Sequence, residues 1–305
     1  MIIVQLFLLT TSLLSFYNAF CTSPVSHDGC VDLVIFSRNR PMQLTATLES
    51  IEKHITGFKT ITVLCHTEND NFLHGYEQVQ KEFPYVTFVM QERHNRHAHF
   101  KRQLLETIEP LQAPYFMFAV DDIIVTDKVD LHHCCSMLKS TGAYSCHLRV
   151  GKDITHTSRN LPMPQPPFQQ VKGGMLTWFI HEGRGFDSYF GYPYSVDMTI
   201  FPRELVVQYT RRSQCVSPNT YEGYWNWSTP QLPRNTRGLC YPTSRMVNIE
   251  LNLVQEGWTP GMSCRYTPEK LLEMYFEGWR IDVDKLFQVP HHACHADLAV
   301  DWRKI

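Results

Sequence analysis

Three common signatures for handling phosphates and nucleophiles are missing from this chain, which has no Gly-x-Ser-x-Gly, no Gly-x-x-x-x-Gly-Lys-Ser/Thr and no Gly-x-Gly-x-x-Gly. Serine-hydrolase elbows, P-loops and dinucleotide-binding turns are excluded in their usual forms. Charge of one sign is also lacking in surplus: 28 Lys and Arg against 30 Asp and Glu leave a net charge of -2. A nucleic-acid binder shows a basic excess or stripe, so recognition here is expected to be local, with no nucleic-acid partner. No internal repeat is visible. With 43% hydrophobic residues, the 305 residues can bury one large core or two modest ones.

Charged side chains are absent before Asp28, and Ile2 to Phe20 is largely apolar. Residues 1–21 read as a secretory signal, with Ala19 and Cys21 as the small residues that a signal peptidase inspects. An uncleaved membrane anchor is the alternative. Either way, the body is expected in the lumen of the secretory pathway, endoplasmic reticulum or Golgi, or outside the cell. Any membrane association would run through this segment. Ten cysteines, at 21, 30, 65, 134, 135, 146, 215, 240, 264 and 294, suit an oxidising compartment and disulfides of undetermined pairing. Cys65, inside an apolar run, reads as a buried free thiol. Asn226-Trp227-Ser228 is a glycosylation sequon in that setting.

Residues 22–30 read as a linker, and Val31 to Phe36 as a first strand ending at Ser37-Arg38-Asn39-Arg40-Pro41. Leu44, Leu48, Ile51 and Ile55 recur at helical spacing, so an amphipathic helix follows and ends before Thr56-Gly57. Ile61 to Cys65 and Tyr85 to Met90 read as further strands, with a helix over Gly75 to Glu82 between them. Phe100, Leu104, Leu105 and Ile108 mark one face of a third helix. This alternation predicts an α/β fold with a mostly parallel sheet and right-handed crossovers. A fourth strand, Tyr115 to Val125, is apolar except for Asp121-Asp122. Ligands in open α/β sheets collect at the carboxyl ends of strands, and two carboxylates there call for a cation or for water. After Val150 the texture changes. Thr155 to Gly174, with four prolines, reads as irregular, and Met175 to His181 as a return to strand. The segment Phe186 to Asp197 is dense in aromatics and turn formers, a composition that suits sugar rings.

Phe36-Ser37-Arg38-Asn39-Arg40-Pro41-Met42-Gln43-Leu44, followed by Phe118-Ala119-Val120-Asp121-Asp122-Ile123, resembles the nucleotide-binding half of a GT-A fold glycosyltransferase, nearest to the family 2-like enzymes. Gly191 to Asp197, Pro218 to Glu222 and Asn252-Leu253-Val254-Gln255 are similar to blocks in the same broad group. The resemblance implies a GT-A-like central sheet flanked by helices. It places a nucleotide-sugar-binding half over 31–150 and an aromatic-rich, acceptor-binding half of the same catalytic domain over 151–305. The implied reaction moves a sugar from a nucleotide-diphospho-sugar to a carbohydrate or glycoconjugate. Members usually carry Asp-x-Asp or three consecutive aspartates, and here Val120 or Ile123 stands where another carboxylate is expected.

Negative charge builds on the departing diphosphate, and Mn²⁺ or Mg²⁺ can meet it as a Lewis acid held by carboxylates. Asp122 is the candidate metal ligand, and Asp121 a ligand of the metal or of the donor ribose. Their plainer reading is as caps of the next turn. Ser37, Arg38 and Arg40 are placed to meet the donor, with bidentate guanidinium contacts to base or diphosphate, or they are ordinary loop residues. Lys101 is a further phosphate candidate or a helix-surface cation. A base for the acceptor hydroxyl is sought in Glu222, whose aromatic surroundings would raise its pKa, or in Asp197. His295 or His292 could complete the metal shell, and Cys294 could instead form a disulfide. Trp178, Trp225 and Trp227 are stacking candidates, or core residues. Two other readings stay open: a noncatalytic carbohydrate- or nucleotide-sugar-binding protein, and a metal-dependent hydrolase built on the histidines.

Overall fold

A computed structural model describes residues 23–183, 188–227, 231–254 and 265–305. The signal or anchor segment, Phe186, Asp187, Ser228 of the sequon, Gln255 and Cys264 lie outside the described residues. β1 (Val31–Arg38) leads into α1 (Pro41–His54), β2 (Ile55–Thr56), β3 (Phe58–His66), α2 (Asp70–Glu82), β4 (Thr87–Met90), α3 (Arg96–Ile108) and β5 (Tyr115–Val120). There follow β6 (Ile123–Val125), β7 (Val129–Asp130), α4 (Leu131–Thr141), β8 (Ser145–His147), β9 (Gln169–Gln170), β10 (Leu176–Phe179) and β11 (Thr199–Pro202). The chain continues through α5 (Arg203–Arg212), α6 (Pro218–Trp227), β12 (Arg237–Cys240), β13 (Met246–Asn248), α7 (Pro268–Phe276), β14 (Trp279–Ile281) and β15 (Trp302–Lys304).

The principal sheet has the order β4-β3-β1-β5-β11-β8-β12-β10-β9. Its strands run in one direction except β11 and β10, which pair antiparallel with their neighbours. This is the mostly parallel, helix-flanked α/β sheet that the alternation of elements predicts. β1 is buried on both faces, as a central parallel strand must be. Its one internal carboxylate, Asp32, accepts from Thr60 Oγ1 at 2.6 Å and from Ala113 N at 2.7 Å.

Alternation along β1 divides the interior. Leu33 and Ile35 join Leu44, Leu48, Ile51, Ile61 and Met117 in one core. Val34 and Phe36 join Phe116, Phe118, Tyr194, Phe201, Tyr221 and Trp225 in a second, aromatic core. The stripe on α1 underestimates its burial. Pro41, Met42, Gln43, Thr45, Ala46 and Thr47 are buried too, because the helix lies among β6, α2, α7 and β14 as well as the sheet. Ile55 belongs to β2. Trp178 and Trp225 are core residues, whereas Trp227 is 73% exposed. Trp178 fits because position 238 is glycine, where a Cβ would sit 2.5 Å from the indole.

Residues 23–30 are not a free linker. Ser26 N donates to Phe58 O at 2.8 Å and Cys30 N to Gly57 O at 3.0 Å, which lays the segment beside β3. Cys30 Sγ lies 3.0 Å from Cys135 Sγ, both as free thiols. Cys65 is a buried free thiol, as its apolar surroundings imply. The segment 155–174 is largely irregular, as its prolines predict. No described helix is long and apolar enough to cross a membrane.

Candidate functional site

The predicted fourth strand is broken by its carboxylates. β5 stops at Val120, Asp121 and Asp122 form a turn, and β6 leaves the sheet to pair with β13. The turn is fixed from both sides: Thr47 Oγ1 donates to Asp121 O at 2.9 Å, and Ile249 N to Asp122 O at 2.8 Å. Both side chains sit at the floor of a cleft of about 1000 Å³ beyond the carboxyl ends of β1, β3 and β5. Ser37, Arg38, Arg40, Asp121, Asp122, Asp197, Glu222 and His295 all line it. Lys101 does not. Its ammonium is on the surface, donating to Arg211 O at 2.8 Å.

The turn after β1 aims the first group. Asn39 adopts φ 54°, a left-handed conformation that asparagine tolerates, and its side chain accepts from Glu68 N at 3.0 Å. Arg38 and Arg40 therefore diverge. Arg38 reaches Val254 O at 2.8 Å and pairs with Glu68 at the cleft edge. Arg40 turns inward, where it is 7% exposed. Its Nη1 donates to Asp121 Oδ1 and to Asp122 Oδ2, each at 2.9 Å. Its Nε donates to Asn252 Oδ1 at 2.8 Å and its Nη2 to Asn252 O at 2.5 Å. Burial opposes the charged guanidinium, but the two aspartates outweigh it and raise its pKa, so it stays cationic.

Asp121 is nearly saturated. Its Oδ2 accepts from Ser37 Oγ at 2.7 Å and Arg38 N at 3.1 Å, and its Oδ1 from Arg40. Asp122 Oδ1 accepts from Asn248 Nδ2 at 3.0 Å. Burial raises the pKa of Asp122, with Arg40 opposing and Asp121 adding to the rise. These contacts test the expected metal. Among the described residues no three or more His, Cys, Asp or Glu side chains are grouped to hold an ion, and a fixed cation already joins the pair. As they stand, Asp121 and Asp122 do not fit a divalent metal between them.

On the opposite wall, Met198 has φ 49°, costly for a bulky side chain, next to Asp197 at the start of β11. Arg149, just past β8 and 4% exposed, donates through Nη1 to Asp197 Oδ2 at 2.7 Å and to Ser195 Oγ at 2.7 Å. Tyr189 and Tyr192 cover its guanidinium, with ring centroids 5.2 and 5.7 Å from Cζ. Glu222 lies on α6, which begins at Pro218. Its Oε1 accepts from Val196 N at 3.1 Å. Burial pushes its carboxyl up to about 7, helped by the charge of Asp197 and opposed by Arg149.

The carboxyl-terminal segment reaches the same place, bridging to β13 between Asn248 and His295. His295 Nδ1 bonds Glu250 Oε1 at 3.0 Å, and its Nε2 stands 3.9 Å from Asp197 Oδ2. Burial disfavours the charged ring, but Glu250 and Asp197 outweigh it and raise its pKa. Its sequence neighbours go elsewhere. His291 Nδ1 faces Val289 O at 3.1 Å, and Cys294 Sγ donates to Arg149 O at 3.2 Å rather than joining a disulfide. The sequon amide is committed as well: Asn226 Nδ2 donates to Tyr194 O and Glu222 O, both at 2.8 Å.

Arg149, Asn248 and Glu250 escape sequence reasoning, whereas Tyr192 lies within the aromatic segment whose composition suits sugar rings. The aromatics of that segment separate by burial, with Phe190 and Tyr194 in the core and Tyr189 and Tyr192 on the cleft.

No family model matches the chain. In sequence it is 28% identical over 136 residues to the bifunctional glycosyltransferase pgtA of Dictyostelium discoideum, a match over 41% of this chain and 17% of that protein. The chain thus spans well under half of that relative's length. Among solved structures, residues 1–349 of S. aureus TarS superpose with a TM-score of 0.46 at 11% identity, over 71% of this chain and 59% of that one. The mannosyltransferase PcManGT from Pyrobaculum calidifontis, in complex with GDP-Man and Mn²⁺, gives a TM-score of 0.38 at 11% identity, over 65% and 52% of the two chains.

Proposed function

We propose that this chain is a glycosyltransferase that moves a sugar from a nucleotide-diphospho-sugar to a hydroxyl of a carbohydrate or glycoconjugate. The observation that carries the reading is convergence. The strand-end aspartates, the loop arginines, a carboxyl with a pKa near 7 and a carboxyl-terminal histidine, scattered over the sequence, line one cleft. The match to a segment of a bifunctional glycosyltransferase supports the same reading.

In this account the donor lies over the ends of β1, β3 and β5, with Arg38, Arg96 and Arg159 along its cleft. Asp197, paired with Arg149, is suited to binding and orienting. Glu222, held near neutrality, is suited to accepting the proton of the acceptor hydroxyl as that oxygen attacks the anomeric carbon. The anomeric C–O bond breaks, and the charge gained by the leaving diphosphate is assigned to the arginines. Tyr189 and Tyr192 offer faces for a sugar ring. Mn²⁺ or Mg²⁺ would require a ligand set other than the Arg40-bound pair. A lumenal or extracellular setting, suggested by residues 1–21, belongs to the proposal.

The test is release of nucleoside diphosphate from a panel of nucleotide sugars, with and without simple saccharide acceptors. Turnover that is lost in Glu222→Gln while nucleotide binding is kept supports the enzyme. Binding without turnover on any donor favours the noncatalytic carrier of the same fold.

A further inference from the structure

We infer that Arg40 is the built-in cation of the strand-end carboxylate pair, in the place that the pair would otherwise offer a divalent metal, so that the donor's diphosphate binds without a metal ion. The geometry leaves little choice. One nitrogen, Nη1, lies 2.9 Å from a carboxylate oxygen of Asp121 and 2.9 Å from one of Asp122, so it already bridges the two. Nε and Nη2 are both anchored on Asn252, at 2.8 and 2.5 Å, which prevents the guanidinium from swinging aside. Gln43 Nε2 braces Asn252 Oδ1 from the other side at 2.9 Å.

The remaining oxygens are spoken for. Asp121 Oδ2 takes a hydroxyl and a backbone amide, and Asp122 Oδ1 takes the Asn248 amide. A metal bridging the pair would have to displace Arg40 or sit beside it, bringing like charges together in a buried site where repulsion is poorly screened. Burial favours the organic cation, because a guanidinium is weakly hydrated and its fork matches carboxylates. Arg38, Arg96 and Arg159 line the cleft beyond the pair, Arg38 while paired with Glu68, and a diphosphate would meet their charge there. Arg40 is a positioning residue in this account, acting on the donor through the turn it neutralises. The missing third carboxylate then has a reason: a pair holding one guanidinium needs no further anion.

Only the nucleotide half of the test rests on the donor reading. Thermal unfolding of the wild-type protein is followed with Mn²⁺ and with EDTA, and UDP and GDP are titrated calorimetrically under both conditions. Unchanged melting and equal nucleotide affinity are expected. A Mn²⁺-dependent rise in melting temperature, or an affinity that falls about tenfold or more in EDTA, overturns the inference. If neither nucleotide binds, a uridine or guanosine diphosphate donor is excluded while the melting data still decide the place of Arg40. In Arg40→Met the freed carboxylates should now take Mn²⁺, seen as a metal-dependent rise in melting temperature. A folded Arg40→Met that ignores Mn²⁺ counts against the inference, and if the variant does not fold, the wild-type comparison decides alone.

Discussion

Arg149 Nη1 and Asp197 Oδ2 form an ion pair at 2.7 Å, with both side chains buried in the wall of the cleft. Removing one partner of a buried pair leaves the other charge uncompensated. Arg149→Met should therefore destabilise the protein by about 3–5 kcal/mol in urea unfolding, with Arg149→Lys recovering part of the loss. A change below about 1 kcal/mol, typical of exposed pairs, would show that the pair is not held as described.

Glu222 sets the pH response of the proposed reaction. Its carboxyl must be ionised to accept a proton and it titrates near 7, so the rate should climb as pH rises through about 7. Glu222→Gln should lower kcat by roughly 10²–10⁴-fold, with little change in the donor KM. A pH profile in Glu222→Gln that keeps the wild-type inflection assigns the base elsewhere, with Asp197 next in line.

The same shift acts on stability. The folded-state pKa of Glu222 lies above its ordinary 4.5, so its contribution is complete below pH 4.5 and is lost as pH rises towards 7. Unfolding free energies of wild type and Glu222→Gln should diverge between those limits, the variant gaining relative stability at the higher pH. Parallel curves would contradict the buried environment assigned to Glu222.

His295 behaves in the same sense through a different bond. Its raised pKa, due to Glu250 and Asp197 against burial, gives stability that is complete below 6.5 and lost as pH rises through the folded value. His295→Gln should flatten that decline, measured as the urea midpoint at mildly acidic and mildly alkaline pH. A decline unchanged in His295→Gln would place its origin elsewhere.

Trp225 and Tyr192 separate core from cleft. Trp225 stacks on Tyr194 at 3.7 Å between centroids and donates through Nε1 to Tyr144 Oη at 2.7 Å. Trp225→Ala should cost about 3–5 kcal/mol of stability. Tyr192→Ala should instead weaken acceptor use, raising the acceptor KM with a modest stability change. Equal melting losses in the two variants would contradict this division.

Much of this was legible in the sequence because local rules suffice for it. The alternation of β1, α1, β3, α2, β4, α3 and β5 follows from period and turn residues, and the strand-end pair from an interruption in an apolar run. The sequence did not disclose that Arg40 faces inward, because that depends on the left-handed Asn39 and on Asn252, more than two hundred residues away. Arg149 and Asn248 carry no local signal at all. They become site residues only when β8, β11 and β13 are assembled. Residue type leaves Trp178 and Trp225 open between sugar stacking and the core, and burial decides for the core.

Nucleotide-sugar chemistry in this cleft is read out by nucleoside diphosphate release from a panel of nucleotide sugars, wild type beside Glu222→Gln. The wild type should turn over at least one donor, and Glu222→Gln should lose that turnover with nucleotide affinity retained. A folded wild-type protein that neither binds a nucleoside diphosphate nor turns over any donor would contradict it.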